Sequence, residues 1–159
     1  MVNSGAPASL ALDGTGRRFG IVAARFHGAI VDRLLAGAEA ALRTHGVAPA
    51  DIRVVRVPGA WEIPAGLDAL ARSGEYSALI ALGVLIRGGT MHFEVIADQC
   101  SRGIAEVALR RELPVTFGVL TCETMEQAEA RAGGAEGNKG EEAALAALEM
   151  AILVARLRT

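Results

Sequence analysis

Three residues past a pair of glycines, a histidine stands where a helix should begin: Gly88-Gly89-Thr90-Met91-His92. Glycines let backbone approach an anion closely, and the free N–H groups of a helix start attract one. Histidine is the side chain whose ordinary titration spans neutral pH, so it could carry protons beside that anion. Elsewhere, Phe26-His27 and Gly59-Ala60-Trp61-Glu62 each stand just past a candidate strand. Two loop aromatics suit a flat ring, and a carboxylate suits hydroxyl or N–H donors. Arg131 and Lys139 flank a glycine-rich segment and could add positive charge, although such a loop is ordinarily a solvated connection. Singly, each residue also has a structural reading: packed loop aromatics, a carboxylate favouring a helix start, a tight glycine turn, an exposed histidine. Their coincidence at strand ends is what points to a site.

The elements that position these residues follow from the apolar pattern. Ala78 to Ile86 is a run of nine apolar or glycine residues, as expected of a parallel strand buried on both faces. Phe93, Ile96, Ala97, Cys100, Ile104 and Val107 then recur at helical spacing, which predicts a helix from an N-cap at Thr90 to about Glu112. Residues 18–24, 52–57 and 114–121 read as further strands, and Arg53 and Arg56 mark the second of these as an edge. One helix carries Ile30, Leu34, Ala38 and Leu42 and closes at His45-Gly46; another runs from Glu62 to about Ser73-Gly74. A short helix starts at Thr124, a loop spans 132–138, and a final helix starts near Gly140. That last helix has two apolar stripes, Leu145-Leu148-Ile152 and Met150-Leu153-Leu157. They predict packing on the sheet on one side and on another subunit on the other.

Strands alternating with helices predict an α/β fold, a three-layer sandwich with a four-stranded parallel sheet flanked by helices. Ligands of such sheets bind beyond the carboxyl ends of the strands, where the candidate residues fall. Residues 1–17 are expected to be a loose arm with a short strand at 9–12, and residues 18–159 one domain. The chain of 159 residues suits a single core, and at 52% hydrophobic it has apolar surface to spare for subunit contacts. No apolar run is long enough to span a bilayer, no signal peptide is visible, and the scattered charge (net -2) suggests neither nucleic-acid nor membrane binding. A cytoplasmic protein with Cys100 and Cys122 as reduced, small apolar residues is the expectation. The sequence lacks a G-x-G-x-x-G turn, a P-loop, a nucleophile elbow and an H-E-x-x-H pair. The strand ends also lack the aspartates of a receiver-type phosphorylation site.

Four segments together resemble the 6,7-dimethyl-8-ribityllumazine synthase family. They are Gly59-Ala60-Trp61-Glu62-Ile63-Pro64, the stretch Gly83 to Phe93, Phe117-Gly118-Val119-Leu120-Thr121, and Arg131-Ala132-Gly133 with Asn138-Lys139-Gly140. The resemblance runs from about Arg18 to the C-terminus. It implies a flavodoxin-like sheet and the penultimate reaction of riboflavin biosynthesis, in which 5-amino-6-(D-ribitylamino)uracil condenses with 3,4-dihydroxy-2-butanone 4-phosphate. Phosphate and water leave, without a metal or organic cofactor. By the same resemblance, Phe26 stacks on the pyrimidine, and Gly59, Ala60, Trp61 and Glu62 hold the ribityl chain. Leu85 and Ile86 present backbone groups to the ring edge. Gly88, Gly89 and Thr90 bind phosphate with help from Arg131, His92 moves protons, and Lys139 assists near the phosphate. Phe117 comes from a neighbouring subunit.

Such a reaction needs proton transfers near neutrality and two substrates held in register, which suits histidine and a positioning site better than an aggressive nucleophile. Three positions depart from the family's pattern. Ala130 stands where an acidic residue is usual, Gly89 replaces a larger residue, and His27 stands where asparagine is also frequent. The short 131–139 segment resembles that of relatives which close twelve pentamers into a 60-subunit shell. Two other classes compete: a protein of the same fold that captures flavin or lumazine without turnover, and a purely structural shell.

Overall fold

The computed structural model describes residues 11–159. Four strands, β1 (Phe19–Ala24), β2 (Ile52–Val57), β3 (Ala78–Ile86) and β4 (Val115–Cys122), pair in parallel in the order β2-β1-β3-β4. The helices between and after them are α1 (Gly28–Thr44), α2 (Ile63–Ala71), α3 (His92–Arg111), α4 (Met125–Ala130) and α5 (Lys139–Leu157). Short 3-10 turns precede β2 (Pro49–Asp51) and α2 (Ala60–Glu62). The result is the flavodoxin-like α/β layout expected. No helix among the described residues is long and apolar enough to cross a membrane.

Each face of the sheet buries its own cluster. Ile21, Ala23, Ile80 and Leu82 pack under α1 and α5 with Leu34, Leu42 and Leu148. Val22, Leu79 and Ala81 pack under α2 and α3 with Leu67, Ile104 and Val107. Adjacent residues of one strand thus enter opposite cores, which is why β1 and the first seven residues of β3 are buried without a break. On β2, Arg53 and Arg56 are exposed, in keeping with its place at the sheet edge. The other edge is β4.

Several local details differ from the sequence reading. Helix α2 stops at Ala71, and the chain turns out of it through Gly74 at φ 71°, a left-handed conformation that glycine adopts without strain. The N-cap of α3 is Met91 rather than Thr90, although the Thr90 hydroxyl accepts the His92 N–H at 3.3 Å. The 132–138 segment is a hairpin, β5 (Ala132–Gly134) against β6 (Gly137–Asn138), and α5 begins at Lys139. Ser9 and Leu10 of the expected short strand lie outside the described residues, and Ala11 and Leu12 are not in a strand. From Asp13 the arm is fastened: the Gly14 N–H donates to the His45 carbonyl at 2.7 Å, and Asp13 Oδ1 accepts from Thr15 N–H at 3.0 Å. His45 closes α1, its Nδ1 lying 2.8 Å from the Ala41 carbonyl oxygen.

Two further fastenings tie the helices to one another, one on each face of the sheet. Asp68 of α2 takes a two-pronged bond from Arg111 of α3, at 2.8 and 3.1 Å, and that guanidinium holds the Asp68 carboxyl below the usual carboxylate range. At the opposite face, α5 crosses α1 at Gly140, where a Cβ would lie 2.0 Å from the Leu34 carbonyl oxygen. Asn138 locks that crossing. Its Oδ1 caps α5 by accepting from Gly140 and Glu141 N–H, and its Nδ2 donates to the Arg33 carbonyl of α1.

Candidate active site

The carboxyl ends of β1, β2 and β3 open into a cleft of about 580 Å³. Phe26 and His27 after β1, Gly59 to Glu62 after β2, and Leu85, Ile86, Gly88, Thr90 and His92 after β3 all line it. Parallel pairing of β1 with both neighbours puts the three strand ends side by side, so loops more than 60 positions apart in sequence converge, as at the crevice of other open α/β sheets.

Exposure and backbone conformation bear on the structural reading of several of these residues. Phe26 is 67% exposed and Trp61 54%, so neither is a packed loop aromatic; both rings stand at the cleft wall. His27 holds a left-handed conformation (φ 56°) at the start of α1, and its ring meets Phe26 edge-on with centroids 4.7 Å apart. Gly88 and Gly89 are not in the left-handed region, and a Cβ at either would meet nothing within 4 Å. Neither backbone strain nor packing within the chain therefore requires glycine there. Close approach of a ligand or neighbour to the exposed turn is the remaining physical reason. Glu62 does have a structural role, because its Oε2 accepts the Gly59 N–H at 3.0 Å and closes the turn. A carboxylate has further acceptor sites, so that bond leaves room for ligand hydroxyls.

Phe117, Arg131 and Lys139 are not in this cleft. They line a second one of about 420 Å³ along the outer edge of β4, with Thr121, Cys122 and Gln127. Phe117 is 47% exposed there, on a strand edge with no partner strand among the described residues. The β5–β6 hairpin brings the two cations together: Ala132 pairs with Asn138, and the Lys139 N–H donates to the Arg131 carbonyl at 2.9 Å. No carboxylate at position 130 is needed to orient them. Arg131 Nη1 donates to the Gln127 carbonyl at 3.0 Å, and Lys139 Nζ lies 2.9 Å from Glu142 Oε2. Glu129 instead offers its backbone oxygen to Arg33.

Reading the residues alone missed several participants. Val84, Pro58, Phe93 and Ile96 complete the first cleft, and Gln127 and Glu142 orient the cations of the second. The Lys139–Glu142 pair was visible in principle as an i, i+3 spacing at a helix start. Nothing around the cysteines primes them as nucleophiles. Burial pushes the Cys100 thiol up to about 11, and burial also raises Cys122, opposed by the positive charge of Arg131.

Known proteins resemble this chain over most of its length. The family model described as 6,7-dimethyl-8-ribityllumazine synthase matches residues 16–155. A protein of Aquifex aeolicus (strain VF5) named 6,7-dimethyl-8-ribityllumazine synthase is 54% identical over 147 residues, covering 92% of this chain and 96% of that protein. One of the same name from Anaeromyxobacter sp. (strain Fw109-5) is 52% identical over 137 residues, covering 86% of this chain and 84% of its own. With the family model matching residues 16–155 and two relatives more than half identical over most of both chains, the chain belongs to the 6,7-dimethyl-8-ribityllumazine synthase family.

Proposed function

We propose that this protein condenses 5-amino-6-(D-ribitylamino)uracil with 3,4-dihydroxy-2-butanone 4-phosphate to give 6,7-dimethyl-8-ribityllumazine, phosphate and water, as a cytoplasmic step of riboflavin biosynthesis. The observation that carries the reading is the first cleft, where two exposed aromatics, Glu62, an unforced Gly-Gly-Thr turn and His92 meet. Phe26 covers the pyrimidine face, and the Gly59–Glu62 turn takes the ribityl hydroxyls. Leu85 and Ile86 offer backbone groups to the ring edge. The phosphate sits on the Gly88–Thr90 turn at the start of α3. His92 then moves protons as the amine adds to the carbonyl, phosphate leaves and the second ring closes. Holding both substrates in register supplies much of the acceleration.

Arg131, Lys139 and Phe117 serve the same chemistry from the second cleft. Because that cleft lies at an edge of β4 with no partner strand among the described residues, the proposed site is complete only when the β4 edge of one subunit meets the first cleft of its neighbour. The phosphate then lies between the turn of one chain and the cations of the next. A cyclic arrangement of such contacts is a ring, and the assembly proposed is a pentamer, with twelve pentamers closing a shell. The short β5–β6 hairpin and the exposed Leu109, Met150 and Leu157 support further contacts outside the ring.

Mixing the two substrates with the protein should form the fluorescent lumazine well above the spontaneous rate. The sole tryptophan, Trp61, reports binding separately through its own emission. Quenching of Trp61 with condensation at the background rate would replace the enzyme by a non-catalytic lumazine-binding protein. Light scattering on the same sample should give a particle of sixty subunits, and a uniform five-subunit particle would remove the shell while leaving the ring.

A further inference from the structure

Arg87, the first residue beyond β3, makes contacts to the elements on either side of the Gly88–Thr90 turn. Its backbone N–H extends the β3–β4 ladder by donating to the Cys122 carbonyl at 2.9 Å. Its Nε donates to both carboxylate oxygens of Glu123, at 3.0 and 2.8 Å, just past the end of β4. Nη1 pairs with Glu94 in the first turn of α3, and the guanidinium carbon lies 4.6 Å from the centroid of the Phe93 ring. One side chain thus grips the end of β4 and the two residues that immediately follow His92.

The turn has little else to fix it. Nothing packs where side chains of residues 88 and 89 would be, and the bond from His92 N–H to the Thr90 hydroxyl is long at 3.3 Å. A lone exposed ion pair would contribute almost nothing. Arg87 differs because one guanidinium, 38% exposed, serves two carboxylates and an aromatic face at once. The chain of bonds continues past it. Glu123 N–H donates to Gln127 Oε1 at 2.8 Å, and the Gln127 carbonyl accepts from Arg131 at 3.0 Å.

We infer that Arg87 is a positioning residue for the anion-binding turn, clamping the first turn of α3 to the end of β4 through Glu94, Phe93 and Glu123. It reaches the reaction only through the direction it gives the N–H groups of the turn and the His92 imidazole. The substrate it governs is therefore the phosphate-bearing one. For its kinetic consequence this inference rests on the reaction proposed above; for its structural consequence it does not.

The test uses the full-length protein with Arg87→Ala, Arg87→Lys and Glu123→Gln. Arg87→Ala should raise KM for the butanone phosphate by about tenfold or more while KM for the aminouracil stays within about twofold, as misplacement of one binding turn predicts. Arg87→Lys keeps a charge but loses the planar group that serves two carboxylates and the ring, and should fall between. Hydrogen exchange of the Val95–Ala97 amides, the first in α3 with helical acceptors, should quicken in Arg87→Ala without ligand present. An equal rise in both KM values with a lowered melting temperature would make Arg87 a general stabiliser and overturn the inference. So would unchanged KM values. If the wild-type protein forms no lumazine, the reaction is wrong, and faster exchange at Val95–Ala97 still upholds the clamp while unchanged exchange refutes it. Should Arg87→Ala fail to fold, Glu123→Gln must show the same selective change at about threefold, or the clamp is refuted.

Discussion

Subunits carrying His92→Ala, co-assembled in equal amounts with subunits carrying Arg131→Ala, should recover about a quarter of wild-type turnover, the statistical share of intact junctions. Each variant alone should retain about a tenth to a hundredth, the usual loss for one proton-transfer group or one charge on a transferred anion. The reason is spatial. His92 lines the cleft at the end of β3, whereas Arg131 lines the separate cleft on the outer edge of β4. If neighbouring subunits join these clefts, an intact site needs His92 from one variant and Arg131 from the other. Random assembly provides that pairing at one junction in about four. Were both residues acting within one chain, every mixed particle would contain only damaged sites, and activity would stay at the mean of the two variants. Gel filtration of the mixture with one variant tagged confirms co-assembly. Recovery no greater than that mean would then end the interface reading.

Two glycine substitutions should give opposite results. Gly140→Ala should destabilise the fold by about 3 kcal/mol, the upper end for forcing a methyl group into packed structure. Its Cβ would sit 2.0 Å from the Leu34 carbonyl oxygen and 2.6 Å from the carbonyl carbon, both backbone atoms of α1, so the helices must part. For a chain of this length the melting temperature should fall by about 10 °C. Gly88→Ala should leave the melting temperature nearly unchanged, since its Cβ meets nothing within 4 Å, yet weaken use of the butanone phosphate by crowding the anion turn. Melting curves and KM values for both variants decide the matter. A stable Gly140→Ala would contradict the α1–α5 crossing, and an unaffected KM in Gly88→Ala would remove the glycine's role in binding.

The parallel strands were legible because burial on both faces leaves an unbroken apolar run, as in Ala78–Val84, and because glycine and polar residues mark where each run meets solvent. Edge placement of β2 was legible from Arg53 and Arg56. The β5–β6 hairpin was not. Its residues are mostly glycine and alanine, and a ladder of backbone bonds leaves no side-chain period to read. The same blindness hid the backbone partner of Arg131. Arg131 takes its partner from a backbone carbonyl, and Lys139 takes Glu142 only once α5 starts one residue earlier than the pattern suggested.

For the first cleft, residue types and strand-end positions were enough to bring together Phe26, Gly59 to Glu62, Gly88, Thr90 and His92, because side-by-side parallel strands necessarily bring their carboxyl ends together, while Leu85 and Ile86 came only from the family resemblance. What the order of amino acids could not express is which side of the sheet edge each remaining group faces. The strand order β2-β1-β3-β4 leaves β4 without a partner strand on its outer side among the described residues, and the cleft there takes Phe117, Arg131 and Lys139 away from His92. Likewise, only the packed structure brings Arg87 to Glu123, 36 residues on, because the β3–β4 register sets Ile86 opposite Cys122. Local pattern determined the elements and the chemistry at their ends. Pairing between distant strands, which depends on contacts no short window contains, decided which of those groups share the first cleft and which line the second.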